Sequence, residues 1–272
     1  MDLNKGKVLG VIGIKGGVGK TTIVLNLASV LANDYGKKVL VVDANFSSPH
    51  IGLHLGSVNH KTTLHDVLSD KAHIKHAVHE HDFGFDFIPA SLDTRNIKHL
   101  KLKNKLADLK NNYDYILLDS SPVLNDEILA TMMSSDELYA VSSPDLPTLS
   151  TTLRAVKLAK ERGLQINGLI LNKVRGRKYE ITKAEMEKLS GVPVVASIKD
   201  NVKFLEALSK VKPLVMHSPY SAPTLEYKKL AALLSNEPYK EPNLFKKAYG
   251  FLKDDFHNFL NHDFRKGLKY YK

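Results

Sequence analysis

The chain contains no cysteine among its 272 residues, and none of its apolar runs reaches 18 residues. Without cysteine it cannot form a disulfide, a thiolate zinc site or a cysteine-bound iron–sulfur cluster. The lack of thiols fits a reducing compartment. The apolar runs are too short for a membrane-spanning helix, and residues 1–10 do not read as a signal peptide. These absences together predict a cytoplasmic protein.

Basic residues are in excess, with 39 Lys and Arg against 29 Asp and Glu and a formal net charge of +10. A basic protein favours anionic partners such as a nucleotide, a nucleic acid or an acidic membrane face. A lysine-rich surface that is merely solvated explains the charge equally well. The hydrophobic fraction of 43% is ample for the core of one α/β domain.

Short apolar runs alternate with amphipathic segments along most of the chain. This alternation predicts βαβ units, and hence an α/β fold with a doubly wound, mainly parallel sheet and helices on both faces. Ligands of such a sheet bind beyond the carboxyl ends of its strands. The expected strands are 8–14, 38–43, 85–88, 115–119, 137–142, 166–171 and 192–197. The expected helices are 23–33, 96–110, 127–134, 148–162, 180–189, 203–209 and 223–234.

The composition changes near the C-terminus, where residues 236–243 read NEPYKEPN. Two prolines among charged residues are typical of a linker. The sequence therefore predicts a nucleotide-binding domain over residues 1–235, a linker over 236–243 and a separate element over 244–272.

The stretch KGGVGKTT, Lys15–Thr22, lies between the first expected strand and the first expected helix. Glycines let backbone N–H groups converge on phosphate oxygens, and the following helix directs its positive end at them. Lys20 is placed to neutralise the β- and γ-phosphates, and the Thr21 hydroxyl to complete a Mg²⁺ shell. The strict motif requires glycine where this chain has Ile14, and a second lysine, Lys15, begins the loop. The predicted cofactor-binding residues here are Gly16, Gly17, Val18, Gly19, Lys20, Thr21 and Thr22.

This stretch resembles the signature K-G-G-x-G-K-T-T of the ParA/MinD family of deviant Walker A P-loop ATPases, and the likeness covers about residues 6–235. The resemblance implies a P-loop NTPase fold with ATP and Mg²⁺ as cofactors. It also implies an ATP-dependent homodimer in which Lys15 reaches the partner's phosphates, much as an arginine finger does. Lys15, Lys20 and the residue at position 45 are then the candidate catalytic residues.

Two acidic strand ends match the family's metal-binding positions. Asp43 corresponds to the first Asp of a D-x-D pair and is expected to hold the Mg²⁺ shell and the first switch segment. Asn45 stands where the second Asp activates water; it can orient water but cannot accept its proton. Losing a general base costs roughly 10²–10⁴ in rate, so slow turnover is expected. A tolerated variant, with backbone groups positioning the water, is the alternative.

The run YDYILLDSS places Asp119 at a strand end, as in a Walker B motif whose carboxylate reaches Mg²⁺ through water. A helix-capping Asp119 is the alternative. The family's second switch has a glycine where this chain has Val123. Asn172 matches the family's adenine-contacting asparagine, although Asn after a strand is also an ordinary turn residue. Residues 196–201 stand where relatives close over the base, but lack the usual proline.

Histidines are concentrated between residues 50 and 81. His73, His76 and His79 follow a rhythm of three residues, which favours a solvated helix face. Metal binding or pH sensing is the alternative.

The last segment begins LFKKAYGFLKDDFHNFL. A helix here would gather its apolar residues within roughly 120° of arc, with lysines at the border. Such an amphipathic basic helix can lie in an acidic membrane interface, and the family's MinD-type members end in one. A helix that docks on its own domain or on a partner is the alternative. The apolar residues are Phe245, Ala248, Tyr249, Leu252, Phe256, Phe259 and Leu260.

The resemblance implies an ATP hydrolase whose ATP-bound dimer reversibly binds a membrane surface or the nucleoid and positions a regulatory or cargo protein. Its location is then cytoplasmic, with the inner face of the cell membrane as a peripheral site and non-specific DNA as the other anionic surface. Two alternatives remain open. A bacterial tyrosine autokinase is suggested by the stretch DANFSSPHIGLHLG, by residues 119–124 and by Tyr270-Tyr271, and a nucleotide-locked scaffold is suggested by Asn45.

Overall fold

Eight strands form one sheet in the part of the chain that the computed structural model describes, residues 6–92 and 97–241. Their order across the sheet is β3-β4-β2-β5-β1-β6-β7-β8, and all neighbouring strands pair in parallel except β3 and β4, which are antiparallel. The strands are β1 (Lys7–Ile12), β2 (Val39–Ala44), β3 (His79–Glu80), β4 (Asp86–Ile88), β5 (Tyr115–Ser120), β6 (Glu137–Ser142), β7 (Ile166–Val174) and β8 (Val194–Lys199).

Helices cover both faces of this sheet. In the described residues they are α1 (Lys20–Asn33), α2 (Ile51–His54), α3 (Leu64–Leu68), α4 (Leu102–Ala107), α5 (Asp126–Ser134), α6 (Leu146–Glu161), α7 (Lys183–Ser190), α8 (Lys203–Ser209), α9 (Leu214–His217) and α10 (Ala222–Ser235). Helices α1 and α10 pack together on one face. Helices α3 to α7 supply the apolar side chains that cover the other.

The central strands are apolar without alternation because both of their faces are buried. In β2, Val39 and Val41 join the core beneath α1, whereas Leu40 and Val42 join the core beneath α3 and α4. Every residue of β2 is buried. The predicted doubly wound parallel sheet is therefore confirmed, and its carboxyl edge is the place to look for a ligand.

Several elements differ from those expected. Strand β7 continues to Val174, and the segment expected to be helical from 96 contains a 3₁₀ turn at His99–Lys101 followed by the short α4. The apolar pattern of the sequence does not predict α2, α3, α9 or β3, each of which has five residues or fewer. Elements this short carry too few residues for a period to be visible.

The prediction that His73, His76 and His79 share one helix face is wrong. Residues Ile74–Ala77 form one 3₁₀ turn, and His79 belongs to β3, which pairs antiparallel with β4. The His79 ring packs against His60, with centroids 4.3 Å apart. The Nε2 atom of His60 lies 2.9 Å from the Ser57 carbonyl oxygen. Within the described residues no group of three or more His, Asp or Glu is arranged to hold a metal ion.

Helix α10 ends at Ser235, and the structure describes the expected linker only as far as Glu241. The predicted amphipathic helix over 244–272, with Tyr270 and Tyr271, lies outside the described residues. Across 6–92 and 97–241, no helix combines the length and the apolar character that crossing a bilayer requires.

Candidate nucleotide-binding site

The glycine-rich loop joins β1 to α1 at the carboxyl edge of the sheet. Gly17 and Gly19 have φ angles of +74° and +99°, which glycine adopts without steric cost. A Cβ atom on Gly19 would lie 2.3 Å from the Asn172 amide nitrogen, so no larger residue fits there without displacing Asn172. Helix α1 begins at the next residue, Lys20, whose side chain is buried.

Thr21 and Asp119, two of the predicted metal ligands, lie in direct contact. The Thr21 hydroxyl donates a hydrogen bond of 2.5 Å to Asp119 Oδ2. Asp119 Oδ1 is buried and has no hydrogen-bond partner within the described part of the chain. Asp43, the third predicted ligand, pairs in register with Asp119 because β2 and β5 are adjacent parallel strands. A threonine hydroxyl beside two buried carboxylates is an oxygen set that fits Mg²⁺.

Burial dominates the electrostatics of these groups. It raises the pKa of Asp43, and the negative charge of Asp119 raises it further, against three backbone hydrogen bonds. Burial also raises the pKa of Asp119 to about 6, although the Thr21 hydrogen bond and the charge of Lys20 oppose it. Burial lowers the pKa of Lys20, and Asp119 partly offsets that effect. Two carboxylates crowded in this way favour a bound cation.

Asp43 also holds the segment that follows β2. Its Oδ2 accepts hydrogen bonds of 2.9 Å from the backbone N–H groups of His50 and Ile51, and its Oδ1 accepts one of 3.2 Å from Asn45. These bonds place the start of α2 against the end of β2. Asp43 therefore links the predicted metal site to residues 45–51.

Asn45 is buried within its own loop. Its amide nitrogen donates to the Ser48 carbonyl and lies 3.2 Å from His50 Nδ1, while its Oδ1 has no partner among the described residues. The Asn45 side chain therefore stabilises its own loop through the Ser48 carbonyl.

A buried carboxylate connects the segment that follows β2 to helix α5, which follows β5. Glu127, in the first turn of α5, accepts hydrogen bonds from the Ser47 N–H at 3.3 Å and the Ser47 hydroxyl at 3.2 Å. Its position near the helix N-terminus is favourable for a negative charge. The sequence offered no signal for this contact, because the residues are 80 positions apart.

Lys15 is engaged within its own chain. Its ammonium donates to the Thr148 hydroxyl at 2.8 Å and lies 3.4 Å from Asp145 Oδ1. Asp145 caps α6 by accepting from the Thr148 N–H. Burial alone would raise the pKa of Asp145, but hydrogen bonds from Ser143 and Thr148 and the charge of Lys15 lower it to about 2. Asp145 is therefore an ionised partner for Lys15 at neutral pH.

Asn172 lies against the glycine-rich loop. Its buried amide donates to the Val18 carbonyl at 2.8 Å. The following residue, Lys173, donates to the Gly17 carbonyl at 2.7 Å and was not predicted from the sequence. Both residues line the cavity described next.

A cavity of about 820 Å³ opens above the loop. Its polar end contains Gly16–Gly17, Gly19–Thr22 and Asn45, together with His50 and His54 of the α2 segment. Asp200 and Asn201, in the stretch expected to close over a base, also line it. The opposite wall is largely apolar and includes Val202, Phe204, Leu205, Leu208, Pro213 and Leu214. This volume and lining suit a nucleotide with its phosphates at the loop.

Known proteins share the part of the chain that forms this site. The family model described as "AAA domain" matches residues 6–166. An ATP-binding protein of Methanocaldococcus jannaschii is 33% identical over 241 residues, covering 88% of this chain and 90% of that protein. The chain belongs to the ParA/MinD family of P-loop ATPases.

Two solved structures of this family have the same fold. The cell division ATPase MinD of Pyrococcus furiosus is 29% identical, with a TM-score of 0.80 over 85% of this chain and 99% of that one. The septum site-determining protein MinD of Pyrococcus horikoshii, complexed with Mg-ADP, is 29% identical, with a TM-score of 0.79 over 84% and 96%.

Proposed function

We propose that this protein binds ATP with Mg²⁺ over its glycine-rich loop and hydrolyses it slowly, as the switch of a dimer that positions a partner on an anionic surface. The contact of Thr21 with Asp119, beside Asp43 and at the foot of the loop, carries the proposal. The Methanocaldococcus relative, described as ATP-binding, and the Mg-ADP complex of the Pyrococcus horikoshii protein support it.

The nucleotide's phosphates lie against the N–H groups of residues 16–22, and Lys20 neutralises their charge. The Thr21 hydroxyl, Asp119 and Asp43 are the groups that would hold Mg²⁺. When bound there, the metal would supply positive charge to stabilise the transferring phosphoryl group. Asn172 holds the loop through the Val18 carbonyl and is the proposed contact for the adenine base.

Hydrolysis is slow because Asn45 cannot accept the proton of the attacking water. Its amide nitrogen is committed to the Ser48 carbonyl, so the free oxygen of the amide is the atom left to orient water. The same observation favours a second candidate function, a scaffold that binds ATP and barely turns over. Steady-state phosphate release under saturating Mg-ATP separates the two.

Asp119→Asn tests the proposed metal site. The variant should lose the enhancement of ATP binding by Mg²⁺, because an amide does not replace the charge of the carboxylate. Without nucleotide the variant should be as stable as the wild type or more stable, since the repulsion between Asp43 and Asp119 is relieved. Calorimetric titration with ATP, with and without Mg²⁺, measures the first effect. Asp108→Asn, at an exposed position, is the matched control.

A Mg²⁺-dependent affinity that is the same in Asp119→Asn and the wild type would contradict the proposed role of Asp119. A folded wild type with no affinity for Mg-ATP would contradict the function as a whole.

In the dimer, Lys15 leaves Asp145 and Thr148 and reaches the partner's phosphates, so ATP holds the dimer together and ADP releases it. Its present contacts are exposed enough to exchange, because the side chains of Lys15 and Asp145 are 42% and 43% exposed. An ion pair of this kind contributes little to stability. The proposed contact of Lys15 with the partner's phosphates therefore replaces a weak contact within its own chain.

The segment over 244–272 is the proposed surface anchor. Each lysine or arginine near an acidic bilayer adds about 1 kcal/mol before screening, and an apolar helix face adds burial. One helix binds reversibly, whereas a dimer presents two at a high effective concentration. The nucleoid is the other candidate surface, and the positioned regulatory or cargo protein is a further partner.

Co-sedimentation with vesicles containing acidic lipid tests this anchor. Wild type with ATP should pellet, less so at high salt, and deletion of residues 243–272 or Phe256→Glu should abolish pelleting. Lys15→Ala, which retains the segment, should pellet with ATP only as weakly as wild type does with ADP. Equal pelleting by the truncated protein would reject the anchor and make DNA the better candidate surface.

A further inference from the structure

Strand β7 is irregular where it passes the glycine-rich loop. Its pairing with β8 shifts register between Leu171 and Val174. Within this irregularity Lys173 has a φ of +59°, in the left-handed region. That conformation is unfavourable for a lysine and persists only where the surrounding structure determines it. Irregular positions of this kind are common beside functional sites, where they redirect a side chain.

The irregularity directs two consecutive side chains onto the backbone of the loop. Asn172 donates to the Val18 carbonyl at 2.8 Å, and the Lys173 ammonium donates to the Gly17 carbonyl at 2.7 Å. A P-loop presents its N–H groups to phosphate, so its carbonyl groups need donors from elsewhere. At Gly17 and Val18 those donors come from β7.

The turn that follows Lys173 is held firmly by one carboxylate. Glu180 accepts hydrogen bonds from the backbone N–H groups of Arg175, Gly176 and Arg177, at 2.9, 2.7 and 3.2 Å. The Arg175 side chain pairs with Asp200 at 2.8 Å. These contacts fix the backbone on the far side of Lys173, which explains how its left-handed conformation is maintained.

We propose that Lys173 is a positioning residue for the nucleotide. Its ammonium holds the Gly17 peptide in the orientation that the left-handed φ of that residue requires, and so keeps the loop's N–H groups ready for phosphate. Preorganisation of this kind increases affinity by reducing the ordering that binding requires. The inference rests on the proposed nucleotide site and adds a residue from outside the P-loop motif.

Substitutions at position 173 separate this role from the strain of the backbone. Lys173→Met removes the ammonium and keeps the length of the side chain. Lys173→Asn also removes it, but asparagine adopts the left-handed region more readily than lysine. Lys173→Arg retains a charged donor. Lys178→Met is the matched control, because it removes a charge from the exposed turn after β7 and leaves both loop contacts in place.

The measurements are the Kd for Mg-ADP by calorimetry and the Tm of the nucleotide-free protein. Lys173→Met and Lys173→Asn should each weaken Mg-ADP binding by about tenfold, the size of one hydrogen bond from a charged donor. Lys173→Asn should do so with an unchanged or higher Tm. Lys173→Arg and Lys178→Met should bind within about twofold of wild type.

If both Lys173→Met and Lys173→Asn bind Mg-ADP with wild-type affinity, the role of Lys173 is overturned and the proposed function is not. An equal loss in Lys178→Met would overturn it as well, because the effect would then be one of general charge. A folded wild type that does not bind Mg-ADP would overturn the proposed function, and with it this inference.

Discussion

The two ends of the cavity differ in what they are made of and in how they hold a ligand. At the phosphate end the lining residues Lys20 and Asn45 are buried, and Thr21 contacts Asp119, which has no exposed surface. At the opposite end the wall is apolar and open, and Leu205 of α8 is 68% exposed. Charge and fixed N–H groups act at the first end, where low dielectric strengthens them. Burial of apolar area acts at the second, and its contribution is spread over many side chains.

This difference predicts that single substitutions matter much more at the phosphate end. Asn45→Asp should raise the rate of ATP turnover by about 10²-fold, because it supplies a proton acceptor beside the water that attacks the γ-phosphate. Steady-state phosphate release is the measurement. The variant carrying Lys20→Ala as well is the control for contaminating activity. A wild type that already turns over as fast as Asn45→Asp would show that the amide is no catalytic deficit.

Lys20→Ala should weaken ATP binding by about 10- to 100-fold, the size expected for losing a charged hydrogen-bond donor to phosphate. Because burial already lowers the pKa of Lys20, the nucleotide-free protein should not lose stability by a matching amount. A fluorescent ATP analogue measures binding. Lys157→Ala, on the exposed face of α6, removes the same charge far from the loop and should bind normally. Undiminished binding in Lys20→Ala would reject the phosphate end as a site.

Leu205→Ala tests the opposite end and should weaken ATP binding only about threefold, since a partly exposed apolar side chain buries little area against a ligand. Leu233→Ala, at an exposed position of α10, is its control and should have no effect. Calorimetry with ATP measures both. A loss at Leu205 as large as that of Lys20→Ala would remove the contrast between the two ends.

The same contrast explains which parts of the site the sequence could predict. The glycine-rich loop is contiguous, and its residue types follow from phosphate chemistry, so Lys15–Thr22 stand out. Asp43 and Asp119 are each the polar residue near the end of an apolar strand, and parallel pairing brings such residues together. The strand and helix alternation was readable for the same reason, because buried parallel strands are continuous apolar runs.

Contacts between distant segments could not be read in this way. The pairing of Lys15 with Asp145 joins residues 130 positions apart, and that of Lys173 with Gly17 joins residues 156 apart. Neither follows from a local pattern. The left-handed conformation of Lys173 is set by its surroundings and not by its own preference. The histidine spacing was misleading because a period of three is also that of a single 3₁₀ turn, and Ile74–Ala77 form one.

The hydrogen bonds from Ser47 to Glu127 have a consequence for the timing of nucleotide exchange. They join the segment after Asp43 to the helix after Asp119, so neither segment moves independently while they persist. If each segment could open or close independently, the pair would have four conformational states. Joined segments open and close together and have two states. If the proposed nucleotide site is correct, release of a spent nucleotide would require both segments to open together, and we predict that Glu127→Gln, which weakens this link, speeds that release.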